Sequence, residues 1–207
     1  MSIQTNFQLR NFKWSDLDQF QRLLHDIGRH GHKDWPSDSD DLRAELEFPR
    51  VQPKQNIAIA NRGDQIIGYA IVEPETNIGR SVISVGSNTP GLAIRKQLID
   101  WATIRAAALA PVVHLSTRDN EAELENLIGQ LGWSRVRLYK KLALISNLTF
   151  TDVAIPSGFT VRTMLGLDEV PELTYLQNAV FKEHFGYSPN TEDEIKARLL
   201  SAHSSID

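Results

Sequence analysis

One stretch of this chain has the residue types and spacing to hold an anion. Residues 81–105 read SVISVGSNTPGLAIRKQLIDWATIR. A β-branched run, 81–85, breaks at Gly86-Ser87-Asn88-Thr89-Pro90-Gly91. A periodic apolar segment follows, with Ile94, Leu98, Trp101, Ala102 and Ile104 at helical spacing. Strand, glycine-bearing loop and helix together aim backbone N–H groups and the positive end of a helix dipole at a phosphate. The stretch is neither of the two best-known phosphate loops. Gly86 and Gly91 have P-loop spacing, but Leu92 and Ala93 stand where Lys and Ser/Thr would grip phosphate and magnesium, and no G-x-G-x-x-G is present. Taken alone, the stretch also fits a plain turn between strand and helix.

Other reactive constellations are thinner. The chain has no cysteine, which removes disulfides, thiolate metal sites and a Cys nucleophile. His30-Gly31-His32, with His25 one or two turns earlier, has a ligand-like look, but metal binding also wants ordered partners behind the ligands, so a loop is the expectation and no metal site is assigned. No G-x-S-x-G elbow supports a hydrolase triad.

The elements that must position the central loop can be read in order. Residues 7–12 alternate as a strand, and Ser15 is placed to cap a helix with Leu17, Phe20, Leu24 and Ile27 on one face. Ser39 or Asp40 caps a second helix carrying Leu42 and Leu46, ended by Pro49 and Pro53. Residues 56–60 and 65–72 form a hairpin about Asn61-Arg62-Gly63-Asp64, and 81–85 is the next strand. The long helix after the central loop runs to about Leu109, and 112–116 is a strand. Asn120 is placed to cap a helix burying Leu124, Leu127, Ile128 and Leu131 and ending at Gly132. Residues 133–144 alternate and are expected to close the sheet. This order predicts an α/β (α+β) fold with a mixed, mostly antiparallel sheet flanked by helices.

The opening then recurs. Phe7-Gln8-Leu9-Arg10 is answered by Phe159-Thr160-Val161-Arg162, 152 residues on. Residues 40–46, DDLRAEL, are answered by 193–199, DEIKARL, 153 residues on. Two blocks at nearly one offset indicate a duplicated unit. The expected organisation is one domain over 1–146, a linker at 147–157, and the first strand and two helices of a second copy over 158–207. Such a half domain cannot bury its own apolar face. Either the chain is a fragment of a longer tandem protein or a truncated gene product, or 158–207 pack on the first domain or on another chain, a homodimer included.

Composition is that of an ordinary globular protein, 41% apolar and 23% charged. A net charge of −4 with no basic stripe argues against nucleic acid as a partner. No apolar run reaches membrane-spanning length and no secretory leader opens the sequence, so a soluble cytoplasmic protein is expected.

With element order and duplication in hand, the chain resembles the GNAT superfamily of acetyl-CoA-dependent N-acetyltransferases, above all the tandem type that includes mycothiol synthase. In that family the stretch after the fourth strand has the form Arg/Gln-x-x-Gly-x-Gly/Ala and holds the cofactor pyrophosphate on backbone amides. The aligned residues are Pro90-Gly91-Leu92-Ala93-Ile94-Arg95: Pro90 replaces the leading Arg or Gln, Ala93 the first Gly, and Arg95 the final Gly/Ala. The resemblance implies acetyl-CoA as co-substrate, bound by Val85, Gly91, Ala93, Ile94, Arg95 and Asn120. The Arg95 guanidinium is suited to meet a phosphate; Asn120 equally suits a plain N-cap. The implied reaction is direct attack by an amine, from a small molecule or a peptide, with the developing oxyanion held near Val85. The alternative is a non-catalytic module with a degenerate cofactor loop. Catalytic residues are not assigned. The family's phenolic acid falls at Ile128, which has no proton to give, and no carboxylate lies in 81–85; Glu73, just after the third strand, is the nearby acid, and a solvated strand-end charge is the expectation for it. His184-Phe185-Gly186-Tyr187 falls where tandem relatives shape the acceptor pocket.

Overall fold

The computed structural model describes residues 7–29, 38–117, 121–139 and 154–200. Five strands, β1 (Gln8–Asn11), β2 (Ile57–Arg62), β3 (Gln65–Glu75), β4 (Arg80–Ser87) and β5 (Val112–Leu115), lie in one sheet in chain order. The first four run antiparallel to their neighbours, and β4 and β5 are parallel. Tight turns at Gly63 and Gly79, both at positive φ, join β2 to β3 and β3 to β4. The parallel pair needs a crossover, supplied by helix α4 (Ala93–Ala107).

β3 is buried on both faces and feeds two cores. On one side α1 (Leu17–Arg29) and α2 (Ser39–Leu46) lay Leu17, Phe20, Leu23, Leu24, Leu42 and Leu46 against the sheet. Phe12, Phe20 and Tyr69 meet there as a run of edge and tilted rings. On the other side α4 packs Ile94, Leu98, Ala102 and Ala106 against Ile67, Ala70, Val72 and Ile83. That stripe follows i, i+4 spacing, so the expected core residue Ile104 falls outside it and is 74% exposed.

Several local expectations shift. Ser15 lies in a 3-10 turn, Trp14–Asp16, rather than capping α1. Asp16 does the bonding there: its carboxylate accepts from the Lys13 N–H (2.8 Å) and from both ends of the Arg10 guanidinium (2.7 and 2.9 Å). Asp38, not Ser39 or Asp40, caps α2, accepting from the N–H groups of Asp40 and Asp41. Pro53 opens a short helix, α3 (Pro53–Asn56), at the position where its missing N–H costs nothing. α5 (Ala122–Gln130) ends at Gly132 (φ +87°) as expected, but of its apolar residues only Leu124 is fully buried.

Two expected strands are not formed. Among the described part of 133–144, Trp133–Tyr139 lies outside the sheet, with Val136 and Leu138 exposed. Its side chains reach helices and loops instead: Arg135 pairs with Glu125, and Arg137 lies over the Phe185 ring. Residues 159–162 are likewise not a strand, and Phe159 and Val161 are exposed. Alternation makes a strand only where a neighbour supplies ladder partners, and β1 has β2 whereas 159–162 has no such neighbour among the described residues.

The rest of the C-terminal segment repeats the opening with close correspondence. The 3-10 turn Trp14–Asp16, the start of α1, the Asp38 cap and α2 recur 153 residues later as the turn Leu167–Glu169, α6 (Val170–Phe181), the Thr191 cap and α7 (Glu192–Leu199). The clamp recurs too: Arg162 holds Glu169, whose carboxylate accepts the Leu165 N–H at 2.9 Å, as Asp16 accepts that of Lys13.

This segment is fastened to the end of the sheet where β3 turns into β4. Arg50 grips both carboxylate oxygens of Glu194 and reaches the Ser188 hydroxyl (3.3 Å). Arg80 pairs with Glu75 and donates to the Gly186 carbonyl. Asn77 accepts from Ser188 (3.0 Å) and donates to the Pro189 carbonyl (3.1 Å). Burial by itself would push the Glu194 carboxyl up. The Arg50 and Thr191 hydrogen bonds and the charges of Arg50 and Arg198 outweigh it and hold the group below its ordinary 4.5. A depressed carboxylate stabilises the fold above its unfolded pKa, and the gain is lost as pH falls through the folded value. Glu194→Gln is therefore expected to cost roughly 1.5–3 kcal/mol. In wild type, acidification below about pH 4 should accelerate amide exchange in α7 before it does so in β3. Hydrogen exchange against pH checks this, and an α7 that exchanges no faster in acid would refute it.

Candidate functional site

The central loop lies where β4 outruns β5. β4 pairs with β3 along its whole length, Arg80 to Ser87, but with β5 only from Arg80 to Ile83, where β5 ends. From Ser84 onward the β5-facing edge of β4 has no ladder partner among the described residues, and Val85 lies on that part. Its side chain is half-buried against the α4 core, so its backbone is what the opening presents.

A bulge sets the direction of the loop. Ala60 is partnered by Gly68 and Asn61 by Ile66, leaving Ile67 as the extra residue of β3. The Ile67 carbonyl accepts from the Ser87 hydroxyl (2.8 Å) and from the Asn88 N–H (3.2 Å), and the Ser87 oxygen accepts from the Thr89 N–H (3.1 Å). The chain is thus turned away from β4 at a fixed point. It then passes through Gly91 at φ +90°, where a side chain would meet no neighbour but would strain the backbone. Gly86 is required for the opposite reason. A Cβ there would come within 2.5 Å of the Tyr69 ring.

α4 starts with its donors uncovered. The first intrahelical bond runs from the Lys96 N–H to the Leu92 carbonyl (2.8 Å), and among the described residues no side chain caps the N-terminus. The N–H groups of Ala93, Ile94 and Arg95 precede that bond. Ile94 is buried against β3, so only its backbone can serve a ligand; Ala93 is exposed. Arg95 points across a cleft of about 360 Å³, lined by Thr89, Pro90, Gly91, Glu121 and Glu123. Its Nη1 donates to Glu121 Oε1 at 2.8 Å, with both side chains about four-fifths buried.

Gly91, Ala93, Ile94 and Arg95 are thus brought together at one helix start, and Val85 lies on the adjoining strand edge. Asn120 falls outside the described residues, as do His30 and His32. Glu73 does not belong to the site. It pairs in register with Val82, about 17 Å along β4 from Ser87 at the usual strand rise. It is inside β3, not after it, and its charge acts on Arg50. His184 follows α6 and packs edge-on to Phe181. Among the described residues no group of His, Asp or Glu could hold a metal, and no helix is long and apolar enough to cross a membrane.

Sequence reasoning missed Ser87, Ile67 and Glu121. Ser87 carried a usable signal, since a serine two residues before the end of a turn often bonds backbone. A bulge and an ion pair between residues 26 apart leave no local trace. Gly91→Ala is expected to cost about 1–2 kcal/mol through its φ alone. Gly86→Ala is expected to cost about 1–3 kcal/mol through overpacking at Tyr69. Denaturant unfolding with amide exchange separates them, because only Gly91→Ala should loosen residues 87–95 while leaving α1 unchanged.

Neither a family model nor a curated protein sequence matches this chain. Solved structures do. A transcriptional regulator from Bacillus halodurans is 24% identical with TM-score 0.50, covering 67% of this chain and 99% of its own. A ribosomal-protein-alanine N-acetyltransferase from Brucella melitensis is 15% identical with TM-score 0.51, covering 67% and 99%. A GCN5-related N-acetyltransferase from Sphaerobacter thermophilus is 19% identical with TM-score 0.63, and covers 94% of this chain. This chain spans 63% of that protein's length. The five-stranded sheet in which β4 outruns β5, with α4 starting beyond the end of β4, has the fold of the GNAT N-acetyltransferases.

Proposed function

We propose that this chain is an acetyl-CoA-dependent N-acetyltransferase of the GNAT type, acting on a primary amine. The observation that carries the reading is the uncapped start of α4 beside the one-sided end of β4. Uncovered N–H groups at a helix start suit a diphosphate, and an open strand edge suits an extended amide chain. The donor set therefore fits coenzyme A. Ala93, Ile94 and Arg95 would hold the diphosphate, with Gly91 giving the loop its close approach. The β4 edge around Val85 would hold the pantetheine arm.

Acetyl-CoA would supply an acetyl group activated as a thioester: an uncharged amine would attack it, the C–S bond would break as the C–N bond forms, and coenzyme A would leave as the thiolate and take up the proton shed by the nitrogen. The task of this chain's residues is to position the partners and place a backbone N–H near Val85 against the negative charge that grows on the carbonyl oxygen. Neither Ile128 nor Glu73 can move a proton there: one has no ionisable group, and the other is at the far end of the sheet. Structural neighbours are named for protein alanine and for glucosamine-6-phosphate, both amine acceptors, which supports an amine as the acceptor class.

The same reading takes residues 158–207 as the beginning of a second copy in a tandem protein. Support comes from the constant offset of turn, helix, cap and helix, and from the repeated arginine clamp. The tandem neighbourhood is also suggested by the Sphaerobacter protein, whose likeness extends over 94% of this chain.

Calorimetric titration with acetyl-CoA, followed by thiol release in the presence of an amine panel, tests the activity. The chain has no cysteine, so any thiol detected comes from coenzyme A. Binding should weaken as salt rises from about 50 to about 200 mM, because the contacts with phosphate are ionic. Binding without thiol release would favour the non-catalytic alternative. No binding at any salt would refute the cofactor reading.

A further inference from the structure

We propose that Glu121 is a built-in competitor for the anion that Arg95 is placed to meet, so that ligand binding is an exchange of carboxylate for phosphate. This rests on the cleft being the coenzyme A site.

The placement is specific. Arg95 is the third residue of α4, which follows β4, and Glu121 immediately precedes α5, which follows β5. These are the two strands whose pairing ends at Ile83 and Leu115, where β5 stops and β4 runs on to Ser87. The pair therefore spans the mouth of the opening, and Glu121 occupies the guanidinium that faces the cleft. Among the described lining residues Arg95 is the cation, while Glu121 and Glu123 are acids. A diphosphate entering this cleft meets both carboxylates, and the guanidinium is released to it when Glu121 gives up Arg95. The pair can be exchanged, because neither side chain is sealed from water: 20% of Arg95 and 17% of Glu121 remain exposed. A diphosphate brings more charge and more acceptor oxygens to the guanidinium than one carboxylate does. Its presence at the mouth also explains how an arginine can stand where a small residue would leave the helix start clear: the carboxylate draws the guanidinium sideways.

A staple that merely ties α5 to α4 would behave differently on mutation. Removing a staple loosens the site and weakens binding, whereas removing a competitor strengthens it. The experiment is titration of coenzyme A into wild type, Glu121→Gln, Arg95→Gln and the double variant, with thermal unfolding to confirm the fold of each. Glu121→Gln is expected to bind about two- to fivefold tighter, the scale of a partly exposed ion pair. Arg95→Gln is expected to bind more weakly, and the gain from Glu121→Gln should shrink in that background, giving a non-zero coupling. If Glu121→Gln does not fold, Glu121→Asp retracts the carboxylate by one methylene and should shift affinity the same way by a smaller factor. Wild-type binding that Glu121→Gln leaves unchanged or weakens would overturn this inference alone. No binding by any variant would overturn it together with the cofactor reading, and binding seen only after Glu121→Gln would support both.

Discussion

Everything at the open end of this sheet depends on how closely α4 can lie on β3. Gly68 permits it. A side chain there would stand 3.1–3.2 Å from Leu98, Ile94 and the Gly86 carbonyl, so its absence lets the first turns of α4 settle onto the strand. Ile94 is the residue that settles, and its burial fixes the rotation of the helix. Once that rotation is fixed, Arg95, the next residue, must project beside the sheet toward the β5 side. The donor groups at the helix start are therefore positioned by apolar packing some distance away from any ligand.

Two ionic systems divide the molecule between them. At the β3–β4 turn, Arg50, Glu194, Glu75 and Arg80 form a network closed by Ser188, Asn77 and backbone carbonyls. It fastens α7 and the 186–190 loop to the first sheet. At the other end of β4, about 23 Å away by strand rise, Arg95 and Glu121 form a pair across a cleft. The first is a set of mutually satisfied groups, costly to break at any member. The second lies beside a cleft, with 20% of Arg95 and 17% of Glu121 exposed, where a ligand can reach it. The two pairings are of one chemical kind, and the cleft beside the second is what sets it apart.

The C-terminal segment shows how much of a local pattern forms without strand partners among the described residues. Turn, clamp, cap and both helices form in 158–200 as in the opening. These features are held by bonds within a few residues, such as Arg162 to Glu169 and Thr191 to Glu194. The strand does not form, and helix positions matching the buried Leu23 and Ile27, namely Leu176 and Val180, remain more than half exposed. Local hydrogen bonds build the helical layer; only a neighbouring sheet covers it.

The sequence by itself determined the element order, the central loop and most of the core. Apolar periodicity in α1, the glycines at 63, 79 and 132, and the apolar runs of β2–β4 all record constraints between residues close in the chain. The candidate site was legible to the same depth: Gly91, Ala93, Ile94 and Arg95 stand together because they are consecutive or nearly so. Tertiary structure alone decided the rest. Whether 133–139 and 159–162 become strands depends on a partner edge, which alternation cannot encode. The bulge at Ile67 that anchors Ser87 arises from mismatch between two strands. Arg95 is turned to Glu121, and Glu73 is removed from the site, by the relative ends of strands and helices. Those outcomes are distances between residues far apart in sequence, and a period or a motif carries no record of such distances.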